Sequence, residues 1–142
     1  MSMACEEKLT VACFESHAAA TDQLDAKIDT PVLGLVGEVG SLVSALKKKR
    51  RDTDGFFGYH EAVVEELGDV LWYVSAIARR GGTSLVEVIG RAAGGGATAA
   101  SPGFEDLGVG RPIAAEAFEA ALLELAGEAG DLAKRFAVGA YR

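Results

Sequence analysis

VVEELGDVLWY (63–73) decides how this chain is read. Val63, Leu67, Val70, Leu71, Val74, Ile77 and Ala78 recur at steps of three and four, which places them along one side of a helix. Glu66 and Asp69 sit beside that stripe, with Ala62, Tyr73 and Arg80 on their face, and Glu65 lies one i,i+4 step from Asp69. GLVGEVGSL (34–42) repeats the arrangement. There Glu38 flanks the apolar run Val32, Leu35, Val36, Val39, Leu42, Val43 and Leu46, and Ser41, Ala45 and Lys49 share its face. Carboxylates this close to an apolar stripe are costly to desolvate, and chains keep them mainly where a cation compensates. Packed antiparallel, the two helices would bring their carboxylates onto a shared divalent cation.

The remaining chain fits helices around this pair. Helical spacing over 4–24 rests on Leu9, Cys13, Ala20 and Leu24. Thr30-Pro31 marks a helix start, because Thr caps and Pro fits the first turn. That helix closes in Lys47-Lys48-Lys49-Arg50-Arg51, which suits the negative end of the helix dipole, and Asp52-Thr53-Asp54-Gly55 reads as a turn. The second helix spans 59–80 and ends in Arg79-Arg80-Gly81-Gly82, with glycine available for a left-handed cap. Ser84-Leu85-Val86-Glu87 matches a capping box and opens a short helix to 92. Residues 93–111 read as a Gly/Ala-rich linker, and Pro112 opens a last helical stretch, 112–138. LGLVGEVGSLVSAL (33–46) aligns without gaps with LELAGEAGDLAKRF (123–136), so the expected organisation is a helical domain over 1–92, the linker, and a partial repeat over 112–142. No strand pattern competes, and the fold class is all-α, an antiparallel helical bundle.

Composition narrows the partners. The chain has 142 residues and a formal charge of −7, which argues against a sequence-independent grip on nucleic acid. The opening residues lack a signal pattern and no apolar run approaches a membrane span, so a soluble cytoplasmic protein without a membrane partner is expected. If residues 5–13 are helical, Cys5 and Cys13 lie roughly 12 Å apart at ~1.5 Å per residue, beyond disulfide reach, and no intrachain bridge is expected. Apolar stripes on helices this short imply burial against a partner copy.

The donor set selects the cation. Neither His nor Cys joins Glu38, Glu66 and Asp69, which weighs against zinc, and neither His17 nor His60 stands three residues after a Glu as di-iron bundles require. Mg²⁺ takes carboxylate oxygens, keeps several waters and binds phosphates, so the site points to phosphate chemistry. Lys48 and Lys49 lie roughly 15–17 Å along the helix from Glu38 at ~1.5 Å per residue, within reach of the far end of a triphosphate. Tyr73 is a candidate for stacking on a base. The plainer readings are a solvated acidic face for Glu65, Glu66 and Asp69, a solvated helix end for the lysines, and a half-buried core tyrosine. Trp72 points away from the acidic face and reads as a core or subunit-contact residue.

Segments 33–49 and 61–80 resemble the two metal-binding helices of the MazG-like all-α nucleoside triphosphate pyrophosphohydrolases, which carry E-E-x-x-E on one helix and E-x-x-D on the next. The resemblance covers residues 5–92, with the first motif recurring at 124–136. It implies Mg²⁺-dependent hydrolysis of (deoxy)nucleoside triphosphates to monophosphate and pyrophosphate by a homo-oligomer, a dimer or tetramer. Glu38, Glu66 and Asp69 would hold the metal, and Glu65 would orient the attacking water. Gly37 replaces the first Glu of the motif and Ser41 the last, and VEVIGRAAGGGA (86–97) offers no match for the family's downstream Asn and Lys. Glu128 and Asp131 fill both ligand positions in the late copy, which suggests a composite site with Glu66 and Asp69. The alternatives are a catalytically degenerate nucleotide-binding relative and a structural oligomerisation module.

Overall fold

Apolar periodicity carries through into two long helices. The computed structural model describes residues 9–92, 103–104 and 111–137. Its helices are α1 (Val11–Thr21), α2 (Asp29–Asp52), α3 (Tyr59–Arg80), α4 (Leu85–Ala92) and α5 (Ala115–Ala137), with a 3₁₀ turn at Thr53–Gly55. The all-α expectation holds: no strand occurs among the described residues, and pairing there is confined to one antiparallel bridge, Thr10 to Gly103.

Helix ends follow local chemistry. Thr10 caps α1 by accepting from the Cys13 amide at 3.1 Å, so the helix starts at Val11. The predicted start at residue 4 lies outside the described residues, and the helical premise for 5–13 fails at this cap. Cys13 is disulfide-bonded, which corrects the expectation of no bridge; Cys5, the other cysteine of the sequence, lies outside the described residues. α2 starts at Asp29, and Thr30 spends its hydroxyl on Asp25 Oδ1 at 3.0 Å rather than on a cap. Pro31 stays harmless there, since amides of the first turn have no intrahelical acceptor. At the end of α3, Gly82 takes φ +78° and the Thr83 amide reaches back to the Ala78 carbonyl at 3.0 Å, the glycine-dependent close the sequence suggested. Half of the capping box forms at α4. Ser84 Oγ accepts from the Glu87 amide at 3.1 Å, while the Glu87 carboxylate takes the Thr83 hydroxyl and Glu15 of α1 takes the Leu85 amide.

α2 and α3 form an antiparallel hairpin, pinned at one end by Lys49 over the Tyr59 ring and at the other by Tyr73 against Gly34. α5 runs antiparallel to α2: Arg50 near one end pairs with Glu119 at 2.6 Å, and Leu35 near the other meets Leu132 in a shared cleft. The core joins Leu35, Val39, Leu42 and Leu46 of α2 to Val70 of α3 and to Leu122 and Ala129 of α5. By length and composition α2 would also reach across a membrane, contrary to the sequence reading, but its apolar side is buried in this core and Glu38 sits at its middle. Of the predicted linker 93–111, only 103, 104 and 111 are described; Phe104 packs edge-on against Phe14 of α1 with centroids 6.1 Å apart. α1 and α4 close over the C-terminal half of α3, and this positions the cleft described next.

Candidate metal centre

Glu38 projects from α2 toward α3, and Glu66 and Asp69, three residues apart, project back from α3. Each offers one carboxylate oxygen to a group whose atoms all lie within 4.8 Å of one another. Glu66 Oε2 is shut off from solvent and has no hydrogen-bond partner. No lysine or arginine among the described residues forms an ion pair with any of the three.

The electrostatics follow from this crowding. Neither carboxylate can donate while ionised, so the Glu38 contact favours protonated Glu66. That contact leads the causes that push the Glu66 acid up, and burial and repulsion from Glu38 add to it. Asp69 is also pushed up, first by burial and then by the charges of Glu66 and Glu65. An orphaned buried oxygen, an all-oxygen donor set and uncompensated negative charge fit a hard divalent cation.

The carboxylate group borders a cleft of about 340 Å³ lined by Thr21, Glu38, Asp69, Trp72 and Tyr73. Tyr73 reaches its place because residue 34 is glycine; a Cβ there would overlap the tyrosine ring. Trp72 stands edge-on to Tyr73 with ring centroids 5.0 Å apart, and its indole N–H donates to Thr21 Oγ1 at 2.9 Å. Trp72 therefore belongs to the cleft wall, which corrects its reading as a residue pointing away from the acidic face. The i,i+3 step from Asp69 to Trp72 was the available signal. Thr21 carried no signal, since only the docking of α1 on α3 brings it there.

Other sequence candidates stand elsewhere. Glu65 is exposed beside the group and acts on it through its charge on Asp69. Ser41 turns its hydroxyl back to the Gly37 carbonyl at 3.3 Å and stays outside the group. Lys48 lies 4.3 Å from the Phe56 ring centroid, and Lys49 covers Tyr59 while donating to the Thr53 carbonyl at 3.2 Å; neither lines the cleft. Glu128 and Asp131 are not brought to Glu66 and Asp69. They line a separate groove of about 330 Å³ with Leu35, Leu125 and Arg135, and Asp131 pairs with Arg135 at 2.9 Å. The reason is placement: α5 packs along the apolar stripe of α2, whereas Glu38 looks toward α3.

Residues 27–93 match the MazG nucleotide pyrophosphohydrolase domain, a span that includes α2, α3 and α4. The Gene 37 protein of Mycobacterium phage L5 is 42% identical over 50 residues, which is 34% of this chain and 44% of that protein. The matched stretch thus spans less than half the length of that relative. No solved structure matches. The match over residues 27–93 takes in both acidic helices, so this stretch is similar to the MazG nucleotide pyrophosphohydrolase domain.

Proposed function

We propose that this protein hydrolyses nucleoside triphosphates, deoxynucleoside triphosphates included, to monophosphate and pyrophosphate, using Mg²⁺ held by Glu38, Glu66 and Asp69. The observation that carries this reading is the convergence of the three carboxylates, with Glu66 Oε2 left unpartnered, beside an aromatic-walled cleft. Bound magnesium would neutralise phosphate oxygens and acidify a water. The chain's own groups supply the rest. Water attacks the α-phosphorus, the bond to the bridging α–β oxygen breaks, and pyrophosphate leaves. Glu65, exposed and close enough to act on Asp69, would orient that water and take its proton. Trp72 and Tyr73 offer flat apolar surface to a base, which stacking on an aromatic stabilises by about 1–3 kcal/mol. Lys48 and Lys49 would contact phosphate only by leaving their aromatic partners.

One observation favours a second reading. With a serine at position 41, its hydroxyl spent on the Gly37 carbonyl, the group holds three carboxylates and lacks the fourth that the resemblance implies. A relative that binds nucleotide without turning it over would keep such a site. Pyrophosphate release from a nucleotide panel, with and without Mg²⁺, separates the two. Metal-dependent release supports the enzyme; thermal stabilisation by nucleotide without release supports the binding protein. Val64 and Leu67 on α3 are 56% and 39% exposed, which favours a homo-oligomer that buries them; sedimentation as a monomer would contradict that part of the reading.

A further inference from the structure

Asp22 ends α1 and is 92% out of solvent by its side chain, which is 8% exposed. Its Oδ2 accepts from Arg79 Nη2 at 2.7 Å and from Arg80 Nη1 at 2.6 Å. Its Oδ1 accepts from Arg80 Nη2 and from the Leu24 amide, both at 3.0 Å. Arg79 spends another N–H on the fully buried Ser75 hydroxyl at 2.8 Å, and Arg80 donates to the carbonyls of Asp25 and Ala76 at 2.9 and 3.1 Å. Such a satisfied network has one low-energy arrangement, so the end of α1 is fixed on the last turns of α3.

The neighbouring residue is Thr21. Its hydroxyl proton goes to the Ala18 carbonyl at 3.1 Å, which leaves a lone pair facing outward, and that lone pair accepts from Trp72 Nε1. Thr21 and Trp72 both line the cleft that contains Glu38 and Asp69. Thr21 and Asp22 precede the stretch that matches the family domain, whereas Trp72, Arg79 and Arg80 lie within it.

We propose that the Asp22–Arg79–Arg80 cluster is a positioning device: by fixing Thr21 it holds the Trp72 indole as the wall against which the aromatic base of a nucleotide packs. The inference rests on the nucleotide reading of the site, in which Trp72 faces the base, and adds what holds that wall in place. Asp22 touches no ligand and acts through Thr21. Binding of the polyphosphate, which depends on the carboxylate group, is separate from this wall.

The chain's one tryptophan makes the test direct, because its emission reports on Trp72 alone. The probes are the magnesium complexes of the four common deoxynucleoside triphosphates and magnesium tripolyphosphate, which has no base. Thr21→Val keeps the clamp and removes only the acceptor. Asp22→Asn tests the clamp itself, and circular dichroism checks that each variant is folded. The expected result is that both variants need about five- to tenfold more nucleotide to quench Trp72, with KM rising more than kcat falls, while competition by tripolyphosphate is unchanged. Unchanged nucleotide binding in Thr21→Val overturns the inference, as does an equal loss of tripolyphosphate binding. Turnover with an unaltered KM in Thr21→Val removes this inference and leaves the pyrophosphohydrolase reading standing. Quenching that Thr21→Val weakens, in a protein that releases no pyrophosphate, does the opposite, and a wild type indifferent to all four nucleotides overturns both.

Discussion

The ring of Tyr73 occupies the space that a side chain at Gly34 would need. This contact joins α2 to α3 one turn from the carboxylate group and sets the floor of the cleft. Gly34→Ala puts two effects in opposition. Alanine gains up to about 1 kcal/mol of helix propensity, whereas displacing a packed ring costs about 1–3 kcal/mol. The clash is expected to win, lowering the thermal midpoint and weakening nucleotide binding. In a Tyr73→Ala background the sign should reverse, and Gly34→Ala should stabilise. A double-mutant cycle by thermal melting measures this, and a destabilising Gly34→Ala in both backgrounds contradicts it.

Glu66 makes metal-free and metal-loaded protein respond oppositely to one substitution. Its acid, like that of Asp69, is pushed up in the folded chain. A carboxyl group with a raised folded value favours folding while protonated, and that contribution is lost as pH rises above the ordinary carboxylate range near ~4. Without metal, these two groups therefore make the protein less stable at pH 7 than at pH 5. Glu66→Gln is expected to raise the midpoint in EDTA at neutral pH. The same change should abolish stabilisation by Mg²⁺, which reaches about 2.7 kcal/mol at a hundredfold excess over Kd. Melts of both proteins across pH 4–7, with and without Mg²⁺, read the two effects together. A variant destabilised in EDTA and still stabilised by Mg²⁺ would sink the cation assignment.

What the sequence made legible divides along physical lines. The helices of α2 and α3 follow their stripes because seven apolar positions at helical spacing outweigh any local competitor, although Leu67 of the α3 stripe stands 39% exposed, and the same spacing placed Glu38 beside Glu66 and Asp69. The start of α1 was not readable from periodicity, because Thr10 decides it through one capping hydrogen bond. Lys48 and Lys49 were judged by their reach along the helix, but reach says nothing about the aromatic rings of the next turn, which hold both. Pairing across 50 or more positions, as between Trp72 and Thr21 or Arg80 and Asp22, had no local trace at all.

Asp22 should respond to acid in the opposite sense to Glu66. Arg80 above all, and Arg79 with it, hold its carboxyl far below the ordinary range against the upward pull of burial. A depressed folded value means the contribution to stability is complete above pH ~4, where the unfolded carboxyl is ionised, and is lost as pH falls toward the folded value. Asp22→Ala is expected to cost about 3 kcal/mol at pH 7, because Arg80, 10% exposed by its side chain, loses its counter-ion. The same substitution should cost progressively less below pH 4. Urea unfolding at pH 7, 4 and 3 checks the trend, and a penalty independent of pH would assign the effect to packing instead of charge.

Leu122 tests whether α5 belongs to the core that holds the site or merely rests on it. It is 4% exposed and meets the α2 stripe of Leu35, Val39 and Leu42. Leu122→Ala is expected to cost about 2–4 kcal/mol, the usual range for truncating a buried leucine. Glu119→Ala, which removes the partner of an arginine 61% exposed by its side chain, should cost much less than Leu122→Ala, because solvent screens so exposed a pair. Because α2 is sandwiched between α5 and α3, loosening Leu122 should also tilt Glu38 away from Glu66 and Asp69. Leu122→Ala should therefore weaken Mg²⁺-dependent stabilisation at temperatures well below its own midpoint, and Glu119→Ala should not. Chemical unfolding combined with a Mg²⁺ titration of both variants measures each part. A Leu122→Ala protein that unfolds easily yet binds Mg²⁺ like the wild type would show that α3 alone fixes Glu38.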